Sequence, residues 1–161
     1  LGFLGLTEPV AELELEKRLI EKIKIFMLEL GKGFAYIGNQ FRIEYNGKEY
    51  FVDLLFSNRK LNCLVAIDLK IGEFKSEYVG KMNMYLSLLD KLEKEETENQ
   101  SIGIILCAEK DHLDVELALQ DINKPIAVSD YELLVPKNEL QTLILNEMKQ
   151  VQITDNDEAE R

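Results

Sequence analysis

An aspartate stands inside Phe51-Val52-Asp53-Leu54-Leu55-Phe56, a run otherwise apolar on both faces of a strand. A carboxylate buried among apolar neighbours is costly unless something pairs with it, so Asp53 needs a partner. Leu64-Val65-Ala66-Ile67-Asp68-Leu69-Lys70 repeats the anomaly with a carboxylate and an ammonium two residues apart. In an extended chain that spacing turns Asp68 and Lys70 to one face. If the two runs are neighbouring antiparallel strands, Asp53 and Asp68 meet at one hard cation, Mg²⁺ or Mn²⁺, which takes oxygen ligands and keeps several waters. The backbone carbonyl of Leu69 offers a further oxygen. A cation so held polarises a phosphoryl oxygen and lowers the pKa of water, while Lys70 orients that water or stabilises charge developing on phosphate. The chemistry that suits these residues is hydrolysis of a phosphodiester.

Other side chains are candidates for the same site. Glu16 falls on an apolar helical stripe with Leu13, Ile20, Ile23 and Met27, whereas Glu21 falls on the solvent side. Glu16 is thus a possible third acid, although an acid near a helix start also complements the helix dipole. Lys81 and Tyr85 are four residues apart on one helix face and can both reach phosphate; a core-edge tyrosine beside a snorkelling lysine would read the same way. Gln40, following Gly38-Asn39, faces either the site or solvent. Asp-X-Lys taken alone is more often a structural ion pair than a catalytic one. Asp155-Asn156-Asp157 lacks the following Gly and the distal Glu of a calcium loop.

The elements that must position these residues follow from periodicity and turn chemistry. Apolar spacing predicts a helix over Glu12–Leu30, ended by Gly31. Phe34–Ile37 and Phe41–Tyr45 read as extended, and Asn46-Gly47 is a tight type I′ turn into a strand over Glu49–Phe56. Ser57–Lys60 reads as a polar turn into a strand over Leu61–Leu69. Tyr78, Met82, Tyr85, Leu89 and Leu92 mark a helix over Ser76–Leu92. Ser101–Cys107 is a strand covered on both faces, Leu113–Gln120 a helix, Ile126–Val128 a short strand and Asn138–Met148 a closing helix. The expected order is α-β-β-β-α-β, then α-β-α, around a central mixed sheet. No repeat, low-complexity linker or Gly-rich phosphate loop interrupts it.

The chain has 161 residues, enough for one domain, with 46% hydrophobic and 30% charged residues. No apolar run approaches the roughly 18 residues that span a bilayer, so no membrane partner is expected. The opening Leu-Gly-Phe-Leu-Gly-Leu has no basic leader or cleavage site, and a start at Leu suggests a segment of a longer protein. Residues 1–11 read as a linker from an upstream domain, 12–150 as the folded domain and 151–161 as an acidic, disordered tail. Cys63 and Cys107 have no partner at metal-ligand or redox spacing, so buried reduced thiols in a cytoplasmic protein are expected. His112 is the one histidine and is expected in a charged loop, Glu109-Lys110-Asp111-His112, which disfavours a histidine triad or a multi-histidine zinc site. The net charge of −11 opposes nonspecific adhesion to nucleic acid, although part of it is local to Glu93–Glu98 and Asp155–Glu160 and a bound cation offsets more.

With these residues in place the chain resembles the PD-(D/E)XK nuclease superfamily: Asp53 stands at the first acidic position and Asp68-Leu69-Lys70 matches the D/E-X-K element. More narrowly it is similar to the C-terminal nuclease domain of the YhcG family, also known as DUF1016. The resemblance spans residues 12–135 through Phe26–Phe34, Tyr50–Phe56, Leu64–Lys70 with Gly72, Phe74 and Lys75, Glu77–Leu86 and Asn123–Ile126. It implies a restriction-endonuclease-like αβββαβ core and a metal-dependent DNA endonuclease acting in DNA processing, repair or defence. Glu16 corresponds to that family's leading-helix acid, and Lys81 and Tyr85 resemble the Gln-x-x-x-Tyr element of RecB-like nucleases, with Lys in place of Gln. The implied partners are DNA and an N-terminal domain of the same protein, with a homodimer as a further arrangement. The competing expectation is a noncatalytic nucleic-acid-binding or protein-interaction module that keeps the fold.

Overall fold

The computed structural model describes residues 8–30 and 33–130, without every side chain of the first helix. Its elements are α1 (Glu8–Leu30), β1 (Phe34–Tyr45), β2 (Lys48–Asn58), β3 (Cys63–Leu69), α2 (Glu77–Leu92), β4 (Ile102–Cys107), α3 (His112–Leu119) and β5 (Ile126–Asp130). The closing helix expected over Asn138–Met148 and the tail at 151–161 lie outside the described residues.

The strands form one sheet in the order β1-β2-β3-β4-β5. β1, β2 and β3 are antiparallel neighbours, whereas β3, β4 and β5 run parallel with α2 and α3 as the crossovers. The sheet is mixed, as its sequence pattern predicts. Short turns suffice for the antiparallel part, and parallel neighbours require helical crossovers. Asn46 and Gly47 both have positive φ, +54° and +74°, which is what the type I′ hairpin demands.

Both faces are covered. On one, Leu19, Ile20, Ile23 and Met27 of α1 pack on Leu54, Phe56, Val65, Ile67 and Leu106. On the other, Val79, Met82, Tyr85, Leu86 and Leu89 of α2 pack on Leu55, Leu64, Ala66 and Ile105. Each fully buried Val, Leu, Ile, Phe or Met side chain among these contributes roughly 1.5–3 kcal/mol over exposure. α2 lies so close to β4 that a Cβ at Gly103 would stand 2.6 Å from Met82 Cγ and 3.2 Å from Leu86 Cδ1. Glycine at this point lets the helix approach.

Several boundaries differ from the sequence reading. α1 starts at Glu8, one turn early, because Pro9 is tolerated in a first helical turn, where its missing N–H has no partner to lose. Leu13 is 54% exposed, whereas Leu19, about 9 Å further along the axis where the helix lies over the sheet, is buried. β1 is one strand with a bulge between Tyr36 and Gly38 rather than two extended pieces. β2 runs on through Asn58, and the turn falls at residues 59–62 instead of Ser57–Lys60. There the buried Asn58 Oδ1 accepts from the Lys60 and Leu61 N–H groups, both at 3.0 Å. A side chain that serves the turn from within the strand is indistinguishable in sequence from a turn residue. His112 opens α3 rather than lying in a loop, because Asp111 caps the helix by accepting from Leu113 and Asp114 N–H.

Candidate active site

β2 and β3 pair in the register Leu54–Ile67, so one step further along the ladder Asp53 comes opposite Asp68. Both are buried, at 8% and 2% exposure, which makes their charges expensive unless they are compensated. Asp53 Oδ2 accepts the Leu69 N–H at 2.8 Å and its Oδ1 accepts the Gln40 amide at 3.1 Å. Lys70, just past the end of β3, places Nζ 3.4 Å from Asp68 Oδ2. Alternation along β3 turns Asp68 away from the α1 face, where Ile67 and Leu69 pack, and toward α2.

Helix α2 supplies the rest. Its tyrosines 78 and 85 are seven residues apart on one face. Lys70 Nζ lies 4.7 Å from the Tyr78 ring centroid, and Lys81 Nζ 5.7 Å from that of Tyr85. Burial, followed by the negative charges of Asp68 and Asp53, pushes the Tyr85 phenol up to about 12, with Lys70 opposing. Tyr85 therefore stays protonated at physiological pH. Gln40, Asp53, Asp68, Lys70, Lys81 and Tyr85 line one cavity of about 310 Å³, together with a rim of Glu49, Tyr50 and Phe51.

Gln40 has φ +48°, a left-handed conformation rare for a non-glycine residue, near the bulge of β1. That backbone twist accompanies an amide that reaches Asp53, so Gln40 faces the cavity rather than only solvent. Glu16 lies on α1, but its side chain is outside the described residues. The sequence reading missed the rim and Tyr78. Phe51 stands two residues before Asp53 and Tyr78 seven before Tyr85, so the same-face signals were present for both.

The donor set suits a hard divalent cation. Asp68 Oδ2 is buried and accepts no hydrogen bond among the described residues, so beside its ion pair with Lys70 at 3.4 Å it keeps lone pairs that a hard cation would take up. No group of three or more His, Cys, Asp and Glu side chains placed to hold a metal occurs among the described residues, so two carboxylates form the protein's described acidic contribution. Mg²⁺ keeps several waters and commonly takes only one or two carboxylates, which is compatible with such a pair.

Comparison with known proteins agrees with this architecture. The YhcG PDDEXK nuclease domain family model matches residues 1–150. YhcG of Escherichia coli (strain K12) is 39% identical over 136 residues, covering 84% of this chain and 36% of that protein. The chain thus spans little more than a third of that relative's length. Among solved structures, the protein AF1548 superposes with a TM-score of 0.53 at 12% identity, over 82% of this chain and 65% of that one. The EndoMS–dsDNA2 complex gives 0.50 at 15% identity, over 74% and 44%. At these identities the structural likeness concerns the fold alone, while the family model and the sequence relative carry the assignment. The family model over residues 1–150 and the 39% identical relative show that this chain, a mixed five-stranded sheet flanked by helices, belongs to the YhcG PDDEXK nuclease domain family.

Proposed function

We propose that this domain is a metal-dependent DNA endonuclease that hydrolyses phosphodiester bonds. The observation that carries the reading is the convergence of Asp53, Asp68 and Lys70 on one cavity, with Asp68 Oδ2 buried and accepting no hydrogen bond. PD-(D/E)XK nucleases generally use divalent metal ions. Asp53 and Asp68 would hold Mg²⁺ or Mn²⁺ with the Leu69 carbonyl, and Glu16 would assist from α1. When bound, the cation supplies Lewis acidity at a phosphoryl oxygen and makes hydroxide available near neutral pH. The N–H and C=O of one strand residue point to the same side, so the Leu69 N–H that meets Asp53 also supports its carbonyl as a ligand.

In this reading Gln40 fixes the orientation of Asp53. Lys70 orients the attacking water and stabilises charge on the phosphate oxygens. Lys81 provides a cation at the cavity mouth and Tyr85 a protonated donor within it, both toward phosphate. DNA is the substrate favoured by the family and by the neighbour solved with dsDNA. An additional N-terminal domain, suggested by the longer relative, a homodimer and a cytoplasmic setting complete the proposal.

Two observations favour a second reading, a noncatalytic nucleic-acid-binding or protein-interaction module. The net charge is −11 and the cavity rim carries Glu49, whose carboxyl the Arg42 hydrogen bond holds below its usual range. Calorimetric titration of Mn²⁺ separates the two. The nuclease reading expects binding in the wild type that is lost in Asp53→Ala/Asp68→Ala, with Mn²⁺-dependent cleavage of linear, single-stranded or branched DNA lost in the same variant. Absence of both binding and cleavage, with DNA present as well as absent, would establish the noncatalytic reading.

A further inference from the structure

Lys70 carries its ammonium on four rotatable bonds, and a lysine that serves phosphate chemistry from such a stem needs something to hold it. Asp68 restrains one side at 3.4 Å. On another side the ammonium lies 4.7 Å from the centroid of the Tyr78 ring, within cation–π range. Tyr78 is itself fixed. It stands in the first turn of α2, where its N–H donates to the Lys75 carbonyl at 3.0 Å. Its ring meets that of the buried Phe74 edge-on, at 6.3 Å and 83°.

We propose that Tyr78 is a positioning residue for Lys70. Its ring holds the ammonium electrostatically and accepts no N–H hydrogen bond at a lone pair as a carboxylate does, so this restraint adds to that of Asp68 without competing for the same donor. Phe74 buttresses the ring, giving a chain from the β3–α2 loop through the first turn of α2 to the lysine. The ring face is what acts on Lys70, and the hydroxyl is dispensable. The catalytic part of this inference rests on the nuclease reading, whereas the contact itself does not.

Two measurements test it. In the first, lysines are reductively ¹³C-methylated, which keeps their charge, and the Lys70 signal is identified by its loss in Lys70→Arg. The wild type and Tyr78→Phe should show this signal shifted upfield by the ring current, and Tyr78→Leu should return it to the position of exposed lysines. In the second, kcat and KM are measured with Mg²⁺ on whichever of linear, single-stranded or branched DNA the wild type cleaves. Tyr78→Leu should lower kcat by about tenfold with KM changed less than about twofold, and Tyr78→Phe should restore wild-type turnover. A Lys70 signal without ring-current shift in the wild type, or one unmoved by Tyr78→Leu, would overturn the proposal. So would an unchanged kcat in Tyr78→Leu alongside cleavage that depends on Asp53, Asp68 and Lys70, which would leave the nuclease reading standing. If the wild type cleaves none of these DNAs, the nuclease reading fails and the methyl signals alone decide the contact.

Discussion

Tyr85 shows how the two buried carboxylates act on their neighbours. Its phenol is buried beneath them, and desolvation together with the Asp68 and Asp53 charges raises it from its ordinary value near 10 to about 12. The folded protein therefore holds a proton that the unfolded chain has already released. The stabilisation is fully present below pH 10 and is lost as pH rises through about 12. Spectroscopic titration of phenolate absorbance without added metal should show a component ionising near pH 12, and Tyr85→Phe should remove that component. The same variant should weaken the fall in thermal stability between these two pH values. A late-titrating tyrosine that persists in Tyr85→Phe would assign the shift to another residue.

At the scale of elements, the site depends on how closely α2 lies on the sheet, since Tyr78, Lys81 and Tyr85 all ride on that helix. Gly103 sets this approach, because a Cβ there would stand 2.6 Å from Met82 Cγ, well inside contact. Gly103→Ala should therefore cost about 1–3 kcal/mol by overpacking, read as a lowered midpoint in denaturant at unchanged slope. Trimming the obstruction should recover part of that loss. In a double-mutant cycle, Gly103→Ala/Met82→Ala is expected to be more stable than the sum of its single changes predicts. Strict additivity would show that the helix moves rather than clashes.

The whole molecule closes both sheet faces, which explains its two thiols. Cys63 and Cys107 are free and buried in β3 and β4. Burial raises both, Cys107 to about 11, with Asp130 adding to the effect and Lys110 opposing it. Neither is a ready thiolate in the folded protein, and reaction with a disulfide reagent at mildly alkaline pH should follow unfolding. The labelling rate should rise with denaturant in parallel with the loss of the fold. Fast labelling of either thiol under native conditions would reveal local opening of that strand. No helix among the described residues is long and apolar enough to cross a membrane, in keeping with a chain that divides its apolar residues between two sheet faces.

Much of this was decided by local sequence. Asp53 and Asp68 interrupt apolar strands, Asn46-Gly47 dictates its hairpin, and the spacing of Tyr78, Met82 and Tyr85 makes α2 amphipathic; each signal lies within a few residues. Those signals led to the mixed sheet and to the convergence of Asp53, Asp68 and Lys70 on one face. Tertiary structure alone decided that Leu13 stays exposed, because it satisfies the helical period yet extends beyond the sheet that covers Leu19. It decided that Gln40 adopts φ +48° to reach Asp53, since nothing in Gly38-Asn39-Gln40 specifies a contact thirteen residues away. It also set the Tyr78 ring against Lys70, a distance fixed by the packing of α2 on β3 and β4. Periodicity reports which way a side chain points, but the neighbour it meets depends on how separate elements pack.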